Sequence, residues 1–162
     1  MKHHYLSLAL LSVAFVAPAF PKTRYSGEFD YRDFEPSAVY FHGHSRAEID
    51  HLCNTGDGAS TEDMEECEHR EFERAVETLK QKSTALMDRI KRDDDAYAKS
   101  DDDPVALPYF LKSQAAWTQY RDNYCYSYVY VLGPGSARYI YFFECMTAMT
   151  KERTEQLGHF NE

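Results

Sequence analysis

No stretch of this 162-residue chain offers 20 consecutive apolar residues, the length needed to remain across a bilayer. It has no Gly-X-Y period and no internal repeat, which removes collagen-like and solenoid architectures. There is no C-x-x-C pair. The four cysteines stand 14, 58 and 20 residues apart, unlike the ligands of a zinc finger or ribbon. G-x-S-x-G, H-E-x-x-H and a phosphate-binding loop are all missing. Positive charge is scarce. Against 27 Asp and Glu there are 18 Lys and Arg, a net charge of −9, which argues against a nucleic-acid binder working by phosphate neutralisation.

What is present describes a globular chain of about one domain. Apolar residues make up 43% and charged residues 28%, and aromatics reach 15% with 13 tyrosines. Lys2, His3 and His4 precede the apolar run Leu6 to Val16, and Ala17-Pro18-Ala19 offers small residues for cleavage. Residues 1–19 therefore read as an export signal cut after Ala19, a buried helix being the alternative. No cysteine follows the apolar run, so no lipid anchor is expected and the mature form has no membrane anchor. In an exported chain, Cys53, Cys67, Cys125 and Cys145 read as two disulfides, with three possible connectivities.

Residues 20–52 read as an irregular aromatic and acidic extension that either packs through its rings or stays mobile. Asn54 to Ser60 has the composition of a loop. A first long helix follows, capped by Ser60 with Asp63, its apolar stripe running through Met64, Cys67, Phe72, Ala75, Val76, Leu79, Leu86 and Ile90. The acid runs Asp93 to Asp95 and Asp101 to Asp103 close it and are expected to face water. A second helix starts near Pro108, Gly133-Pro134-Gly135 breaks it, and Ser136 is the expected cap of a third. Ile140, Phe143, Met146, Thr150, Arg153 and Leu157 share one face of that helix. Tyr126–Leu132 and Tyr139–Phe143 alternate with period two, so a β-hairpin about the glycines is the competing reading. The expected fold is all-α: a small three-helix antiparallel bundle stapled by two disulfides.

The run Ser113 to Cys125, SQAAWTQYRDNYC, resembles the A-Q-x-x-W-x-x-Y/F-R-D-x-x-C signature of the LprI-like lysozyme inhibitor family. Pro134-Gly135-Ser136 stands where that family has Gly-Gly-Ser. Cys145 to Leu157 is similar to its closing C-L-x-x-x-T-x-x-R-x-x-x-L, and Met64 with Cys67 resembles its M-x-x-C. The resemblance covers residues 53–160. It departs at D-x-x-L-N-x-x-Y, where Val76, Leu79, Lys80 and Ser83 leave only the leucine in common. The motif residues Gln114, Trp117, Arg121, Asp122, Gly135, Ser136, Thr150, Arg153 and Leu157 read as structural. Trp117 is expected to seed the core, and Arg121 to pair with Asp122 or Glu144. Pairing of neighbours, Cys53–Cys67 and Cys125–Cys145, is preferred, with crossed pairing open.

The resemblance implies a periplasmic or secreted inhibitor of lysozyme-type muramidases that acts by association and is not an enzyme. A basic partner such as a lysozyme suits the acidic charge. Asp101, Asp102 and Asp103 and the tyrosines Tyr126, Tyr128 and Tyr130 are candidate contacts. No cofactor or metal is expected; His42, His44 and His51 lack a carboxylate pattern beside them. An envelope binding or immunity module for another exported toxin or enzyme is the alternative, and a small cell-wall hydrolase a third reading.

Overall fold

A computed structural model describes residues 22–97 and 104–160. The expected export signal and the run Asp101 to Asp103 lie outside the described residues. Five helices follow one another: α1 (Ser37–Tyr40), α2 (Arg46–Thr55), α3 (Thr61–Tyr97), α4 (Leu107–Leu132) and α5 (Arg138–Gly158), with a 3-10 turn at Tyr31–Asp33 before them. Among the described residues there is no strand, so both tyrosine-rich segments are helical. Their buried members Val129, Tyr139, Phe142 and Phe143 meet in one cluster, and this packing overrides the local β-propensity.

Among the described residues the helices number five, three of them long, where three were expected. Residues 20–52 are not irregular throughout, since α1 and most of α2 fall there, and Asn54 and Thr55 also belong to α2. Ser45 and Glu48 form a reciprocal capping box at the start of α2. Gly56, at φ 67°, ends it in a conformation that favours glycine. At the head of α3 the expected cap is present: Asp63 N–H donates to Ser60 Oγ at 3.1 Å, and Ser60 N–H to Asp63 Oδ2 at 2.7 Å. Ser136, by contrast, does not cap α5. The Arg138 N–H donates to the Gly135 carbonyl, so the turn is still closing at Ser136, and Ala137 holds the cap position without a side-chain bond.

The three long helices run up, down and up. Phe72 meets Phe143, Glu71 pairs with Lys151, and Arg89 reaches the Phe160 carbonyl, so α3 and α5 are parallel. Gln114 touches Ser83 and Arg153 while Arg121 meets Phe72 and Thr150, so α4 is antiparallel to both. Two disulfides staple the ends, Cys53–Cys67 joining α2 to α3 and Cys125–Cys145 joining α4 to α5. The neighbours are paired, not crossed.

The core has two centres. Phe72, Cys125, Val129, Tyr139, Phe142, Phe143 and Met146 form one, and Leu79, Leu86, Ile90, Phe110 and Leu157 the other. Trp117 does not seed either. It is half-buried beside the second cluster, with the Arg121 and Arg153 guanidinium groups 5.2 and 5.8 Å from its ring centre. Val76, expected in the α3 stripe, is exposed, while His69 and Glu65 are buried instead. The segment before α1 is ordered by its rings. Phe29 lies edge-on to Tyr126, Tyr139 and Phe142, with centroids 5.2, 4.8 and 5.0 Å away.

Candidate functional site

The motif residues of α4 and α5 assemble a buried polar cluster. Arg121 donates from Nε and Nη2 to Asp122 Oδ1 at 3.0 and 2.7 Å, and from Nη1 to Thr150 Oγ1 at 3.2 Å. The other oxygen, Asp122 Oδ2, accepts from the Tyr31 hydroxyl and from Arg32 at 2.8 Å. Asp122 is thus the partner of Arg121, and Glu144 is not. Burial, then the adjacent Asp122 carboxylate, pushes the Tyr31 phenol up. Gln114 bridges helices: its Nε2 donates to Ser83 Oγ at 3.0 Å, and its Oε1 accepts from Arg153 Nε at 2.9 Å. Leu157 is buried in the second core centre. Gly135 is exposed, and Gly133 rather than Gly135 carries the positive φ, 85°, that ends α4. All these contacts are internal, so the cluster joins elements and presents little to a ligand.

A second residue set comes from the extension. Arg138, unnoticed in the sequence, is buried and donates from Nη1 to the carbonyls of Tyr25 and Gly27 at 2.5 and 2.9 Å. Arg24 bonds Glu62 and Glu65 at 2.9 and 2.5 Å, and the Tyr139 hydroxyl donates to the Arg24 carbonyl. The Phe29 and Tyr31 N–H groups donate to the hydroxyls of Tyr130 and Tyr126 at 3.3 and 3.0 Å. Two of the three candidate tyrosines are therefore occupied in holding the extension. Tyr128, two residues from each, lies on the opposite side of α4 and is exposed.

Tyr128 lines an open groove of about 780 Å³ between α4 and α5. Trp117, Tyr120, Tyr124 and Tyr128 line it from α4, at helical steps of three and four. Tyr141, Glu144, Cys145, Ala148, Glu152, Arg153 and Gln156 line it from α5. Tyr120 is 58% exposed, and Val131 at the end of the same helix 87%. Burial pulls Arg153 down, and its guanidinium is spent on Gln114 and Gln156. Glu144 and Glu152 have no ion-pair partner among the described residues. A wide aromatic groove with carboxylates on one wall suits recognition of a surface. His42 and His44 stand in the exposed turn after α1, and no group of three metal-ligating side chains occurs among the described residues. No helix among the described residues is long and apolar enough to cross a membrane.

The family model described as lysozyme inhibitor LprI matches residues 53–157, from the first disulfide cysteine to the last buried leucine of α5. The chain belongs to the LprI family. No curated protein and no solved structure matches it. The LprI match includes all four cysteines, the Arg121–Asp122–Thr150 cluster and the whole groove, and begins after the aromatic extension. The groove was half legible in the sequence. Tyr120, Tyr124 and Tyr128 at i, i+4 and i+8 mark one side of a helix, and only knowledge of which side faces α3 tells that it stays open.

Proposed function

We propose that the chain is an exported inhibitor of lysozyme-type muramidases, acting by protein–protein association and doing no chemistry of its own. Membership of the LprI family carries this reading. The acidic charge supports a basic partner by steering encounter, and two disulfides support an oxidising compartment. Aromatic residues on the α4–α5 face supply rigid anchors of the kind that dominate interfaces. Tyr128, with Tyr120 and Tyr124, is the proposed contact, and the acidic run Asp101 to Asp103 is proposed to add steering charge.

The test is a titration of the purified chain into several lysozymes, at low and physiological salt. Residual lysis of a cell-wall suspension and complex formation by calorimetry are read together. A stoichiometric fall in rate, with association slower at higher salt, is expected. Unchanged lysis and no complex with any lysozyme at low salt would remove the reading, and capture of a different exported enzyme would replace it with the immunity-type alternative.

A further inference from the structure

We infer that the α4–α5 groove is a receptor for lysine or arginine side chains presented by a basic protein partner, the cation lying over tyrosine faces beside Glu144 or Glu152. The lysozyme reading enters only in saying which protein presents them. The Cys125–Cys145 bond fixes the antiparallel register of the two helices. In that register Glu144 stands across from Tyr124 and Tyr128, and Glu152 across from Trp117 and Tyr120. The two carboxylates are eight residues, about 12 Å, apart along α5, so the groove holds two positions and no single cation spans both.

Each position joins an unpaired carboxylate to the negative face of a ring, and both attract a cation. Neighbouring charges reinforce this at the Glu144 end. Glu68 on α3 adds negative charge there, and Lys151 is engaged with Glu71. At the Glu152 end Arg153 is the opposing charge, and Trp117 already carries two guanidinium groups. Tyr120 is the ring left open there, so the Glu144 position is the tighter. A neutral glycan would gain stacking and hydrogen bonds from this groove but nothing from its uncompensated charge.

Trp117 is the chain's single tryptophan and lines the groove, so its fluorescence and its one indole resonance report on it. The full chain is titrated with N-acetyl-arginine amide, N-acetyl-lysine amide, the uncharged N-acetyl-norleucine amide and a tetramer of N-acetylglucosamine. Saturable shifts of the Trp117, Tyr124 and Tyr128 resonances are expected with the two cations and not with norleucine. Glu144→Gln with Glu152→Gln should weaken that binding about tenfold, with Glu144→Gln the larger single effect. Tyr124→Leu, which keeps apolar area and removes the π face, should weaken it several-fold. Glu77→Gln, on the exposed side of α3, should leave it unchanged. Equal response to norleucine, binding of the sugar tetramer in place of the cations, or unaltered cation binding by the double variant each overturns the inference. A double variant that inhibits lysozyme as well as the parent overturns it while leaving the lysozyme reading standing. Cation binding by a chain that touches no lysozyme does the reverse.

Discussion

Glu65 has no exposed side-chain surface, and one of its oxygens, Oε2, meets no donor among the described residues. Arg24 serves the other from the extension. Burial pushes the Glu65 carboxyl up to about 7, against the opposing pull of Arg24. Because the folded value lies above the ordinary 4.5, the folded chain keeps a proton that the unfolded chain has released in between. Stability from this group is therefore present below 4.5, declines as pH rises through that window, and is lost above about 7. Glu65→Gln keeps a polar group under Arg24 and removes the charge. Its melting temperature relative to the parent should accordingly be higher at pH 8 than at pH 4.5, read by circular dichroism. An offset equal at both pH values would show that the carboxylate is not held out of water. Arg121 and Asp122 illustrate the opposite solution, in which a buried cation has its partner one residue away and its remaining donors shared with Thr150 and Tyr31.

The first turn of α4 is completed by α3. The N–H groups of Ala106 and Leu107 each donate to Asp94, at 2.8 Å to Oδ1 and Oδ2, where a cap would ordinarily come from the residue before the helix. Asp94→Ala should cost about 1 kcal/mol by loss of a cap. Urea unfolding would show it as a lower midpoint at unchanged slope, and Asp93→Ala, with no such bonds, should not follow. This contact also marks the boundary of what local pattern can say. Helices α3 and α5 were legible because each carries a face of period 3.6 over many turns, with Ser60 and Asp63 opening α3. Helix α4, whose aromatic and apolar residues lie all round it, was legible from its punctuation by Pro108 and Gly133. Asp94 was read as a water-facing acid because its partners lie 12 and 13 residues on, across residues whose composition gives no geometry. Arg138 is silent in the sequence for the same reason, since nothing beside it announces the Tyr25 and Gly27 carbonyls. For α2 local signals did exist, the Ser45 and Glu48 capping box and Ile49, Leu52 and Cys53 at helical spacing, but they span only ten residues, fewer than three turns.

Across the whole molecule, α4 separates two surfaces with different duties. Tyr126, Val129 and Tyr130 turn toward Phe142 and the extension, while Tyr120, Tyr124 and Tyr128 turn to the open groove. The extension precedes the LprI match, yet Tyr25, Phe29, Tyr31 and Phe34 pack against a core centre made by residues within it. The matched helices of this chain thus have an aromatic side that residues preceding the match cover. Phe29 is the hub of that cover, touching Phe34, Tyr126, Tyr130, Tyr139 and Phe142. Phe29→Ala should destabilise the chain by about 2 kcal/mol, less than a fully buried ring because Phe29 is half-buried. The loss should be local first: amide exchange at Phe29 and Tyr31, which donate to Tyr130 and Tyr126, should speed up well before that of α3, and binding of an apolar dye should rise. Under the proposed function, lysozyme inhibition well below the melting temperature should be unchanged, because the groove tyrosines lie on the opposite side of α4. Inhibition falling in step with faster exchange at Phe29 would instead place the extension in the interface.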